Sequence, residues 1–106
     1  MSASFVYITA GSREAAIALG RTLVEERLAA CVNLFDGMTS VYRWQGKIEE
    51  AREVVLVAKT RTELVEPLTR RIVELHDYEC PCVAAWPITA GNPDYLRWIA
   101  EETGPA

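Results

Sequence analysis

An α+β fold is predicted: a four-stranded sheet carrying helices, in the order β-α-β-β-α-β-α over 106 residues. Three observations predict it. Short apolar runs at Phe5–Ala10 and Cys82–Thr89 read as buried strands near the two ends of the chain. Two stretches with apolar residues at helical spacing, Ser12–Arg27 and the segment after Thr60, alternate with strands. Between them, Cys31–Trp44 and Lys47–Thr60 flank the two-residue connection Gln45-Gly46, whose glycine supplies the positive φ of a primed hairpin turn. The first six elements in that order make a ferredoxin-like βαββαβ sandwich with its helices on one face. The seventh, a C-terminal helix, is an addition. Residues 1–106 form a single domain at this length.

In order along the chain, Ala10-Gly11-Ser12 ends the first strand. Ser12 is a good N-cap with Glu14 in the first turn. Ala16, Leu19, Gly20, Leu23, Val24 and Arg27 then recur at helical spacing. Cys31–Trp44 is rich in residues that suit a half-buried pleated surface, and Gly37 inside it predicts a bulge or bend. The second arm reads two ways. Glu49, Glu50, Ala51 and Arg52 are good helix formers, but the dense Val54–Val57 run and the preceding turn favour a strand. Two such arms of about fourteen residues would each run roughly 46 Å, so the polar half should project from the body. A projecting ribbon invites pairing with another subunit, which predicts an oligomer.

After Thr60, the residues Leu64, Leu68, Ile72 and Leu75 mark an apolar helical stripe. Thr60 with Glu63 fits a capping box, and Thr62 is a rival cap. Pro67 should kink this helix or delay its start, because it lacks a backbone donor. A loop, His76–Pro81, leads to the last strand, where Pro87 implies a sheet edge. Asn92 as N-cap with Pro93 at the first helical position starts the final helix, with Tyr95, Leu96 and Ile99 facing inward. Gly104-Pro105-Ala106 is expected to fray.

Half the residues are hydrophobic, enough for a core, and the net charge is -4. That balance argues against a nucleic acid or an anionic membrane as partner. No apolar run reaches membrane-spanning length, and the first residues lack the pattern of a signal peptide. Three cysteines, an odd number, suggest reduced thiols and a cytoplasmic location.

His76 is the only histidine. As a cation it would complement a helix C-terminus; as a neutral imidazole it is the best metal ligand in the chain. Cys80-Pro81-Cys82 lacks C-x-x-C spacing, and the intervening proline limits joint chelation. Cys82 is expected to face the core, and Cys31 to be a small buried hydrophobe. Cys80, in a loop near His76, is the thiol open to a ligand. His76, Glu79 and Cys80 are therefore the candidate metal set, with donors suited to copper or another divalent cation such as zinc. A four-ligand structural zinc site is absent. There is no G-x-S-x-G elbow and no phosphate loop. Glu49, Glu50 and Glu53 read as a solvated strand flank with cross-strand ion pairs. No catalytic residues are assigned, and the chain is expected not to be an enzyme. An acylphosphatase would need an arginine in a loop after the first strand, whereas Arg13 opens a helix.

Taken together, Arg27–Asn33 (RLAACVN), Ser40–Lys47 (SVYRWQGK), Lys59-Thr60, His76–Glu79 (HDYE) and Gly91–Trp98 (GNPDYLRW) resemble the CutA family of divalent-cation tolerance proteins. The resemblance covers nearly the whole chain in order. It implies a tight homotrimer whose long hairpins wrap neighbouring subunits, and it makes Lys47–Lys59 a strand. It also implies a cytoplasmic role in metal tolerance, copper above all, and an architecture similar to the PII signalling proteins. In copper-binding members a cysteine near the end of the first strand joins two adjacent histidines before a Pro-Tyr pair. The matching residues here are Ile8, Leu75-His76 and Asp77, so only His76 is retained. The alternative function is a PII-like small-ligand sensor, with clefts between subunits lined by Trp44, Lys59, Tyr78 and Glu79.

Overall fold

In the computed structural model, which describes residues 2–105, strand β1 (Ala3–Ala10) lies at the centre of the sheet with β3 (Lys47–Arg61). The outer strands are β2 (Cys31–Trp44) beside β3 and β4 (Val83–Ile88) beside β1, and every neighbouring pair is antiparallel. Helices α1 (Arg13–Glu25) and α2 (Val65–Leu75) form the crossovers, and α3 (Pro93–Glu101) follows β4. This is the α+β arrangement predicted, and Lys47–Arg61 is strand throughout.

Alternation along the strands creates two unlike faces. Val6, Ile8, Ala10, Val54, Leu56 and Ala58 point toward α1 and α2 and meet Ala16, Leu19, Leu23, Leu68 and Ile72 in the main core. Each fully buried Val, Leu or Ile side chain there contributes about 1.5–3 kcal/mol. The opposite face carries Phe5, Tyr7, Thr9, Glu53, Val55, Val57 and Lys59. Only its end beside α3 is closed, by a small cluster of Ala3, Ala30 and Ile99.

The hairpin forms as its turn residues dictate. Gln45 and Gly46 have φ of 50° and 81°, the double positive φ of a type I′ turn. Its arms run 14 and 15 residues along a molecule 44 Å in its longest dimension. The radius of gyration, 14.2 Å, exceeds the about 13 Å of a compact chain this size. Gly37, at φ +78°, sits in a bulge: Phe35 pairs with Val55 but Met38 with Glu53, so two residues of β2 face Val54.

Several expectations are corrected. Neither Thr60 nor Thr62 caps α2. Thr60 stays in β3 opposite Ser4 with its hydroxyl buried, and the Thr62 hydroxyl bonds those of Ser2 and Ser4. A 3-10 turn at Thr62–Leu64 precedes α2, so Pro67 falls in the first turn, where its missing N–H costs nothing. Helix α1 stops at Glu25, and Arg27 takes the left-handed conformation (φ 60°) that usually belongs to glycine. Its guanidinium donates to the carbonyls of Gly104 and Glu101, which offsets that strain, while the Gly104 N–H returns a bond to the Arg27 carbonyl. Gly104 is thereby pinned rather than frayed; Ala106 lies outside the described residues. Leu75 and Tyr95 are exposed rather than turned inward, and so is Cys82, one residue before β4 begins. Among the described residues Glu49, Glu50 and Glu53 form no ion pairs.

Candidate functional site

A hollow of about 640 Å³ opens on the uncovered face, where the outer half of the hairpin leaves the body. Strand β1 contributes Tyr7 and Thr9, β3 contributes Glu53, and the loop after α2 contributes Tyr78, Glu79, Cys80 and Cys82. The β2 lining depends on the bulge. Before it, odd-numbered residues of β2 share a face with Val55 and Val57. The extra residue at the bulge reverses that parity, so Met38, Ser40, Tyr42 and Trp44 turn to the Glu53 side and line the hollow.

Tyr78 closes one wall. Its hydroxyl donates to Glu53 Oε2 at 2.9 Å, and its ring rests near Gly11, where an added Cβ would come within 3.4 Å of the hydroxyl oxygen. Burial, then the Glu53 carboxylate, pushes the Tyr78 phenol up to about 12. Burial also raises the Tyr7 phenol and the Cys82 thiol, and Glu53 adds to both shifts. The Tyr7 hydroxyl donates to Met38 Sδ at 3.3 Å. Three acids of one hollow thus keep their protons more tightly than in water.

His76 is elsewhere. Its side chain is 1% exposed, behind Tyr78, with ring centroids 4.4 Å apart. The Tyr78 amide N–H can only donate, so at 3.0 Å His76 Nδ1 accepts, and the ring proton sits on Nε2. Nε2 donates to the Thr9 carbonyl at 2.7 Å. Asp77 Oδ1 is farther from Nδ1, at 3.4 Å. Both imidazole nitrogens are therefore engaged, and the ring ties α2 to the end of β1.

Of the proposed metal set, Glu79 and Cys80 line the hollow, while His76 borders a smaller one with Ala15, Leu19 and Leu75. Among the described residues no three His, Cys, Asp or Glu side chains group to hold a metal ion. Ile8 and Leu75, at the positions where copper-binding members carry donors, have none, and Ile8 is buried in the core. The residues present do not fit a copper ion in that mode. Of the proposed cleft set, Trp44, Tyr78 and Glu79 come together. Lys59 does not join them: it is buried nearer α3, with its ammonium on Asn33 Oδ1 and 6.0 Å from the Phe5 ring centroid. The hollow also uses Tyr7, Met38, Glu53 and Cys82, which sequence reasoning did not place there. The strand alternation that puts Glu53 with Val55 and Val57 was the available signal.

Residues 4–102 match the family described as CutA1 divalent ion tolerance protein. The divalent-cation tolerance protein CutA of Thermus thermophilus is 48% identical over 99 residues, 93% of this chain and 96% of that one. The chloroplastic protein CutA of Arabidopsis thaliana is 46% identical over 92% of this chain, which spans only 54% of that longer protein. The structure of CutA1 from Oryza sativa superposes with a TM-score of 0.96 at 39% identity, covering 100% of this chain and 97% of that one. The Archaeoglobus fulgidus relative, described as a periplasmic divalent cation tolerance protein, gives 0.91 at 41% identity over 94% of this chain and 97% of its own. No helix among the described residues is long and apolar enough to cross a membrane.

Proposed function

This chain belongs to the CutA1 divalent ion tolerance family, and from that premise we propose that it serves divalent-cation tolerance as a cytoplasmic homotrimer that senses a small ligand. The ligand occupies the hollow between Trp44 and Tyr78, and His76 is a structural residue rather than a metal centre. The observation that carries this reading is the engagement of both His76 nitrogens, beside an open cleft of ligand size.

The hairpin supports the trimer, through Val41 and Ile48 in its outer half and Phe35 just before the bulge. Val41, Ile48 and Phe35 are 66%, 61% and 58% exposed in the single chain, an apolar surface of the kind that a partner covers. Three free thiols support the cytoplasm. The role in this reading is binding, in keeping with an imidazole whose two nitrogens are both engaged.

A second reading, a copper or other divalent-cation site rebuilt on His76, Glu79 and Cys80, draws support from Glu79, Cys80 and Cys82 at the rim of the hollow. Calorimetric titration of the reduced protein with Cu²⁺, beside His76→Ala and Cys80→Ser, separates the two. Weak binding indifferent to both changes is expected. Tight, saturable binding lost in His76→Ala would replace the sensor by the metal site. Light scattering is expected to give three times the subunit mass.

A further inference from the structure

The lining of the hollow selects a class of ligand. Four aromatic side chains, Tyr7, Tyr42, Trp44 and Tyr78, share it with two carboxylates, Glu53 and Glu79, and no lysine or arginine is among the described residues that line it. Aromatic rings attract cations through the negative potential of their faces, most strongly where water is partly excluded. A carboxylate beside them adds direct attraction. Glu53 is half-buried, and only one of its oxygens is taken by Tyr78, so the other can accept from a ligand. Burial is the main cause of the raised proton affinities of Tyr7, Tyr78 and Cys82, and the Glu53 carboxylate adds to each in the sense that disfavours a further negative charge. Phosphates and organic acids, which want arginine forks, find no arginine among the described residues of this lining.

We propose that the hollow binds an organic cation, a substituted ammonium group seated against Tyr42, Trp44 and Tyr78 between Glu53 and Glu79. The proposal rests on the reading of this hollow as the ligand site and gives that ligand its charge and chemistry. The volume, about 640 Å³, suits a small molecule carrying one such group. The bulge at Gly37 is what delivers Tyr42 and Trp44 to the cation.

Choline is the probe, titrated through the millimolar range into the full-length protein in its own oligomeric state. Binding is followed by the indole N–H resonance of Trp44, assigned by comparison with Trp44→Phe. The control is the neutral isostere of choline in which carbon replaces nitrogen. Choline is expected to bind about ten-fold tighter than the isostere, the factor that a cation–π contact of about 1–2 kcal/mol provides. Glu53→Gln keeps an acceptor for Tyr78, so it should retain the thermal midpoint while weakening choline by a similar factor and leaving the isostere unchanged. Equal affinity for choline and the isostere would overturn the cation assignment and leave an apolar cleft. Preferential binding of inorganic phosphate would overturn it while the cleft itself stood. If no probe moves Trp44, the cleft reading falls together with this one.

Discussion

The inner and outer halves of the hairpin share strands, register direction and a turn, yet they differ in almost every physical respect. From Val54 to Thr60, β3 is nearly continuous core: Leu56 and Ala58 are fully buried under α1 and α2, and Lys59 is covered on the other face. From Lys47 to Glu53 it is open, and the facing residues of β2 expose Val41, Tyr42 and Trp44. The bulge at Gly37 divides the halves. Local sequence makes both halves strand, but only the inner half is stabilised within the chain. The outer half holds its shape through ladder bonds and leaves its side chains for a ligand or a partner. Stability and recognition are thus separated along a single element.

The strongest test of that separation is Leu56→Ala, in the middle of the inner half. It should cost about 3 kcal/mol, because the buried site cannot collapse around the missing atoms. Urea denaturation followed by circular dichroism measures it. A cost below about 1 kcal/mol would mean that the inner half is not the stabilising region. Next is Arg61→Ala, at the inner end, where the guanidinium donates from Nε and Nη2 to the Ala100 carbonyl and holds α3 against the sheet. A loss of about 2 kcal/mol is expected for two charge-assisted bonds to a part-buried carbonyl whose bonds from Thr103 are long, at 3.4 and 3.5 Å. Hydrogen exchange should then quicken first in α3, not in the hairpin tip.

Gly37→Ala probes the boundary itself. A side chain at φ +78° costs about 1–2 kcal/mol, although the nearest side-chain atom is 4.0 Å from the new Cβ. The expected sign of relief is local: Trp44 and Tyr42 resonances shift while the core methyl spectrum holds. Unchanged Trp44 signals would mean that the bulge does not set the lining of the hollow.

How much of this could be read in the sequence divides along similar lines. Local chemistry announced the hairpin turn at Gln45-Gly46, the Ser12 and Asn92 caps and the irregularity at Gly37, because each depends on residues within a few positions. Features that depend on distant partners were misread. Thr60 looks like a cap until Ser4 pairs with it, and Arg27 looks helical until Gly104 and Glu101, more than seventy residues on, take its guanidinium. The site follows the same rule. Trp44, Tyr78 and Glu79, expected in clefts between subunits, and Cys80, expected in a metal set, line one hollow within the single chain. Glu53 was taken for solvated flank because its partner, the Tyr78 hydroxyl, lies 25 residues away. Lys59 and His76 carry chemistry suggestive of ligands but spend it on Asn33, Thr9 and the Tyr78 amide.

That Tyr78–Glu53 bond ties the loop after α2 to the outer half of the hairpin beside the bulge, and its removal is the smallest of the expected effects. Tyr78→Phe should cost about 1 kcal/mol at neutral pH, the net worth of one hydrogen bond. Its signature lies in alkali. Tyr78 holds its proton up to about 12 in the folded chain, against 10.0 for the free phenol. The folded state therefore binds more protons between those values, and stability falls as pH rises through the window. Below pH 10 the contribution is whole; above 12 it is gone. The urea midpoint of the parent should decline between pH 10 and 11, and that of Tyr78→Phe should decline less steeply. Tyr7 and Tyr95, also raised by burial, supply the slope that remains. If the two proteins lose stability in parallel, neither burial nor Glu53 holds the Tyr78 proton in the folded chain, and the loop after α2 does not secure the outer half of the hairpin in this way.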